Sequence, residues 1–281
     1  MKTILVPYHD TRSAEAAIAS AVLVAHRFGG YLEGLLVREG PHLGFGERFN
    51  VPPEYLSDVA KQWRVFADMA REQFIRIVRD RGLPVGELES ESDGPVAGWR
   101  EIEGAEGSVV GEYGRLFDLI VIGRSQDESV ASWQETCESA LFESGRPVLV
   151  ANGRGVERIG DTIVVAWNGS TEAARTVAHA MPFLKEAKRV LVLTVEGGMM
   201  PGPHGRDLAA HLSRDGIAAE ALTIDPAGLS VGEAIIDEAE RQNADLLVKG
   251  AFTRSRLRQV IFGGATQHIL SYAPLPVLMA H

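Results

Sequence analysis

The chain has 281 residues, room for one large domain or two ordinary ones, and its 45% apolar and 23% charged residues are those of a soluble globular protein. A formal charge of −10 argues against a general nucleic-acid binder, whose affinity for phosphate backbones comes from excess Lys and Arg, and equally against an anionic membrane surface. The single cysteine, Cys137, makes no internal disulfide, no apolar run reaches the ~20 residues of a membrane span, and the apolar start closed by Pro7 is too short for a signal-peptide core, so a cytoplasmic protein is expected.

In chain order, KTILVPYHDTRSAEAAIASA from Lys2 reads as a short β-branched strand, a polar turn and an Ala-rich helix. The strand YLEGLLV follows, then a loop over residues 38–53 and a long helix, PEYLSDVAKQWRVFADMAREQFIRIVRDRG. In that helix Leu56, Val59, Trp63, Phe66, Phe74 and Ile77 recur at helical spacing, an apolar stripe expected to face the core. FDLIVIG from Phe117 and GRPVLVAN from Gly145 read as the last two strands of this half. The same order then returns. DTIVVAWNGSTEAARTVAHA from Asp161 aligns without a gap on the stretch from Lys2, ADLLVKG from Ala244 on FDLIVIG, and PLPVLMAH from Pro274 on GRPVLVAN. Between these blocks lie the strand RVLVLTV, a Gly/Pro-rich loop, the helix RDLAAHLSRDG, the strand IAAEALTI and the helix VGEAIIDEAERQN. Gly216, Pro274 and Pro276 supply stop signals. Five strands alternating with helices imply a parallel sheet covered on both faces, twice over, with the junction near residues 152–161.

ILVPYHDT and IVVAWNGS at the first strand and turn, DLIVIG and DLLVKG at the fourth strand, GAFTRSRLRQVIFGGAT beyond it, and the closing RPVLV and LPVLM resemble universal stress protein domains. The resemblance covers nearly the whole chain except residues 38–80 and is better in the second half. It implies two tandem Rossmann-like domains, 1–152 and 160–281, each an open five-stranded parallel sheet with helices on both faces, paired through their last strands. Many members bind ATP and others do not. The binders carry Gly, two residues, Gly, nine residues, Gly, then Ser or Thr. Here Gly250 and Gly263 stand at the outer glycines, Thr253 replaces the middle glycine and Gly264 the Ser or Thr. Asn168 replaces the acidic residue such members carry after the first strand.

In an open parallel sheet, ligands bind beyond the carboxyl ends of the strands where the strand order reverses. That rule brings the first and fourth strands of the second half together. The candidate nucleotide-binding residues are Ala166, Trp167, Asn168, Gly169 and Ser170 after the first strand, and Val195 after the next. Lys249, Gly250, Thr253 and Arg254 follow the fourth strand, and Gly263, Gly264, Ala265 and Thr266 open the helix beyond. Asn168 offers both donors and an acceptor to an adenine edge or a ribose. A helix entered on Gly263-Gly264 presents free amides to an anion, with Arg254, Arg256 and Arg258 adding positive charge. Each element also has a plainer reading: Asn168-Gly169-Ser170 as an ordinary turn and cap, the arginines as solvated, the glycine pair as a loop-to-helix joint. In the first half, Gly123 is followed by Asp127 and Glu128 where the second half has arginines, and His9 replaces Asn168; carboxylates there repel phosphate.

No catalytic residue is assigned. Ser125 and Ser170 have no identifiable base, His204 and His211 lack metal-ligand spacing, and Cys137 falls in a helix as an inert thiol. The expected function is a stress-response role in which the second half binds an adenine nucleotide, ATP or AMP, as a regulator or carrier, with no metal assigned. The rivals are an interaction or scaffold module of the same fold without nucleotide, and a slow ATP hydrolase, ranked last for want of a general base. No nucleic-acid or membrane partner is expected; the halves are expected to pair within the chain, and the protein to form a homodimer.

Overall fold

Strand segments such as ILV and IVV are apolar without alternation, which suits strands covered on both faces. The computed structural model describes residues 1–9, 11–38, 53–88, 94–125, 132–152, 156–251 and 264–281. Its first half contains β1 (Thr3–Pro7), α1 (Thr11–Phe28), β2 (Tyr31–Arg38), α2 (Pro53–Asp80), β3 (Val96–Glu103), α3 (Glu106–Tyr113), β4 (Leu119–Gly123), α4 (Ser132–Glu143) and β5 (Val148–Ala151). The second half repeats the order with β6 (Thr162–Ala166), α5 (Thr171–Glu186), β7 (Arg189–Val195), α6 (Gly205–Leu212), β8 (Ala219–Ile224), α7 (Val231–Arg241), β9 (Leu246–Lys249), α8 (Gly264–Tyr272) and β10 (Val277–Met279).

The strands form one ten-stranded sheet in the order β3-β2-β1-β4-β5-β10-β9-β6-β7-β8. Every neighbouring pair is parallel except β5 and β10, which run antiparallel with Leu149 opposite Leu278. The strands of the two halves therefore point in opposite directions, and their carboxyl ends lie at opposite ends of the sheet. Helices α1, α2, α5 and α6 bury their apolar sides on one face, against residues such as Ile4, Val165 and Leu278. Helices α3, α4, α7 and α8 cover the other, against Leu5, Val164 and Val277. The stripe of α2 joins the first core: Phe74 and Ile77 are buried, and Trp63 and Phe66 pack partly against it; the side chain of Leu56 lies outside the described residues.

Two aspartates explain why both fourth strands open on Asp. Asp118 Oδ2 accepts from the amides of Lys2 (2.6 Å) and Thr3 (3.2 Å), and Asp245 Oδ1 accepts from those of Gly160, Asp161 and Thr162 (2.7, 2.9 and 3.2 Å). Each ties the entry of a half's first strand to its fourth and satisfies amides that precede the ladder. The glycines that end those strands are likewise matched. A side-chain carbon at Gly123 would fall 2.0 Å from the Ser13 carbonyl oxygen, and one at Gly250 would fall 2.5 Å from the Ala173 amide nitrogen. The first turns of α1 and α5 rest directly on these positions.

Across the halves, Arg27 of α1 donates to the carbonyls of Ile159 (2.9 Å) and Glu186 (2.8 Å) and to Asp161 Oδ1 (3.1 Å), while Phe28 meets Phe183 edge-on at 5.0 Å. Arg124, just past β4, donates to the carbonyls of Leu270 and Ala273 at the end of α8, both at 3.1 Å. A guanidinium there satisfies orphan carbonyls and complements the negative end of the helix.

Arg27→Ala leaves two carbonyls without their donor and the Asp161 carboxylate with Lys188 alone. We expect a loss of about 2 kcal/mol by denaturant unfolding, and unchanged stability would show the clamp to be solvent-compensated. Gly123→Ala and Gly250→Ala each force a backbone shift and should cost about 1–3 kcal/mol; wild-type melting of either variant would contradict the close approach.

Candidate functional site

In the second half β6 and β9 are neighbours, with Ala166 opposite Lys249. The chain beyond both strand ends therefore meets at the reversal of strand order, where the rule for open sheets places ligands. Ala166 and Val195 are buried in the core beneath. Trp167 turns its side chain into the opposite core, and its indole N–H donates to the Pro203 carbonyl at 2.9 Å. It lends the crevice backbone rather than a stacking ring. Asn168 is half-buried, with Oδ1 accepting from the Ser170 amide at 3.2 Å, and Gly169 holds φ +79°, the left-handed conformation that suits glycine. Ser170 caps α5 by accepting from the Ala173 amide at 3.1 Å. The turn-and-cap reading of this triplet is thus realised. Residues 200–203 fold over it: the Met200 amide donates to the Asn168 carbonyl at 2.8 Å, and a side-chain carbon at Gly202 would fall 2.4 Å from the Gly169 carbonyl oxygen.

From β9, Lys249 reaches toward α8. Its Nζ donates to Thr266 Oγ1 (2.8 Å), in the first turn of that helix, and to the Gly250 carbonyl (2.7 Å). Among the described residues no carboxylate pairs with it. The residue is partly exposed, yet its ammonium is enclosed, and burial lowers its pKa from the ordinary 10.5 to about 8. Thr266 is buried, Ala265 half-buried and Gly264 exposed with φ +61°. Thr253, Arg254, Arg256, Arg258 and Gly263 lie outside the described residues. Gly250, a candidate nucleotide-binding residue from its place in the motif, has its open side filled by the first turn of α5. A lone ammonium beside the amide end of α8, under a half-buried Asn, can attract and orient an anion. The sequence signal for Lys249 is a charge at the end of an apolar strand, where the first half has the fully buried Ile122.

The equivalent crevice of the first half has different chemistry. His9, with a side chain 1% exposed, sets Nδ1 against Glu106 Oε1, which also accepts from Thr136 Oγ1 at 3.1 Å. Among the described residues its Nε2 has no hydrogen-bond partner. Sequence reasoning missed Glu106, because its proximity to His9 arises only from the fold. Asp127 and Glu128 lie outside the described residues. Cys137 is buried in α4, and that burial lifts its pKa to about 12, an inert thiol. Among the described residues no group of three His, Cys, Asp or Glu side chains could hold a metal, and no helix is long and apolar enough to cross a membrane.

A universal stress protein from Archaeoglobus fulgidus DSM 4304 shares the architecture, with a TM-score of 0.72 at 15% identity over 99% of this chain and 97% of that one. A functionally unknown protein from Pseudomonas aeruginosa PAO1 is similar at a TM-score of 0.52 and 15% identity, over 100% of this chain and 92% of its own. Both are likenesses of fold. No curated protein matches the sequence. Residues 160–281 match the model of the universal stress protein family.

Proposed function

We propose that the chain consists of two tandem domains, 1–152 and 160–281, and that the second binds an adenine nucleotide, ATP or AMP, in a regulatory or carrier role within the stress response. The observation that carries this reading is the ammonium of Lys249. A buried cation without a carboxylate partner is unfavourable in the free protein, and an arriving phosphate would supply the missing charge. It stands beside Thr266 and the first turn of α8, and the amino end of a helix favours the same anion. Asn168, half-buried at the neighbouring strand end, supplies donors and an acceptor for ribose or base. The first domain lacks this charge. Ile122 occupies the position of Lys249, and a His9–Glu106 pair stands near the place of Asn168.

A second reading, an interaction module that has kept the fold without nucleotide, draws on the covered turn: Trp167 faces the core, and residues 200–203 rest on Gly169. Titration with ATP and AMP separates the two. A homodimer in the cytoplasm belongs to the first reading.

Calorimetry should give one nucleotide per chain, weakened by Asn168→Ala and unaffected by His9→Ala. A stoichiometry of two, or binding that depends on His9, would place the site in the other half.

Affinity should follow the charge on Lys249. The lysine is an ammonium below about pH 8 and neutral above it, so ATP should bind more weakly as pH rises through that value. Binding near pH 8 should take up protons. Lys249→Met should weaken ATP about tenfold at pH 7 and flatten the pH dependence. The same variant should melt higher than wild type at pH 7. A folded-state pKa below the ordinary one means that the protonated lysine opposes folding at every pH below about 8, an opposition that fades between about 8 and 10.5. Equal affinity with a higher melting temperature would make Lys249 a purely structural burden.

A further inference from the structure

One strand away from the proposed nucleotide crevice, β7 carries a hydroxyl that no described residue bonds. Thr194 is 5% exposed, and among the described residues its Oγ1 has no hydrogen-bond partner. Buried hydroxyls are normally paired, and one left alone marks a place for something else to bond. The hydroxyl lies against Gly205, the first residue of α6; a side-chain carbon there would fall 2.7 Å from Oγ1. The absence of a side chain brings the first turn of α6 down onto the hydroxyl.

Thr194, Gly205 and Arg206 border a cavity of about 450 Å³ whose other walls include Glu196, Met199, His204 and Leu222 of β8. The size suits a small organic molecule. The amides of Gly205 and Arg206 open α6 and so have no carbonyl one turn earlier in the helix to bond to, whereas those of Asp207 and Leu208 bond the His204 carbonyl at 2.9 and 3.3 Å. The Asp207 carboxylate is directed back to the His204 amide at 3.0 Å, and the Arg206 side chain is 79% exposed, with Nε 3.8 Å from Asp207 Oδ1. Glu196 adds a negative charge to the lining, which favours a ligand that also carries a donor. Residues 200–203 separate this cavity from the crevice beside Asn168.

The geometry points to a second ligand site at the carboxyl ends of β7 and β8 that takes a small organic phosphomonoester. Three donors converge on the head group: the Thr194 hydroxyl and the Gly205 and Arg206 amides, with the Arg206 guanidinium adding charge from the rim. A tetrahedral oxyanion with three free oxygens matches that set better than a planar carboxylate does. Met199 and Leu222 receive the apolar body. Because the site shares no side chain with the nucleotide crevice, it stands or falls independently of Lys249.

The test is a titration of isotope-labelled protein with phenyl phosphate, followed by amide resonances. The Gly205 and Arg206 amides should shift, Thr194→Val should weaken the affinity about tenfold, and Lys249→Met should leave it unchanged. Inorganic phosphate should shift the same amides more weakly, since it has no apolar body. Should Thr194→Val fail to fold, Arg206→Gln, at an exposed position, should still weaken binding several-fold. No shift at Gly205 and Arg206 up to about 10 mM phenyl phosphate, well above a millimolar Kd, would overturn the proposal. So would equal affinity in folded Thr194→Val, or loss of binding in Lys249→Met, which would move the ligand to the nucleotide crevice.

Discussion

The antiparallel pairing of β5 with β10 is the contact on which the rest of the molecule depends. Each is the last strand of its half, short and fully buried, and alone would leave a hydrophobic strand with an unpaired edge. Joined, they turn two five-stranded sheets into one continuous sheet and bring the helices of both halves onto shared faces. The antiparallel sense also sends the carboxyl ends of the two halves to opposite ends of the sheet, so each crevice faces its own solvent region. Helix α8 feels this junction directly. Arg124 from the first half holds its last carbonyls, while its first turn meets Lys249 of the second. The helix that frames the proposed anion site is thus braced by the other half.

Two copies of one architecture have acquired different chemistry through very few positions. At the end of the fourth strand the change is Ile122 against Lys249, an apolar contact against an enclosed cation. At the turn after the first strand it is His9 against Asn168, an imidazole on a carboxylate against a half-buried amide. The backbone beneath these substitutions is alike, because the features that set it are elsewhere. Asp118 and Asp245 anchor the strand entries, and Gly123 and Gly250 let the first helix settle on the fourth strand.

That last pair bears on how glycine motifs are read. Gly250 stands where a nucleotide-binding pattern has its first glycine, and the sequence invites an interpretation in terms of phosphate approach. In the structure its open side faces the first turn of α5, and Gly123, which follows Ile122 rather than a lysine, has the same packing against α1. A glycine that both halves need for helix packing says little about ligand; a lysine that only one half has says more.

Much of the fold is legible in neighbouring residues alone. Unbroken β-branched runs, helical periodicity in α2, the Ser170 cap and the stop at Gly216 are local signals, set by which backbone conformations a few adjacent side chains permit. Repetition of those signals in the same order implied a doubled parallel sheet, and the family resemblance implied pairing through its last strands. The site was legible only as a neighbourhood, since strand order brings Asn168 and Lys249 together whatever their side chains do. Tertiary structure alone decided where those side chains went. Trp167 turns inward because Pro203 offers its indole a carbonyl, His9 meets Glu106 from a distant helix, and Thr194 lies beneath Gly205 with no hydrogen-bond partner among the described residues. Such contacts depend on the distance between segments remote in the chain, a quantity that no local pattern of residues encodes.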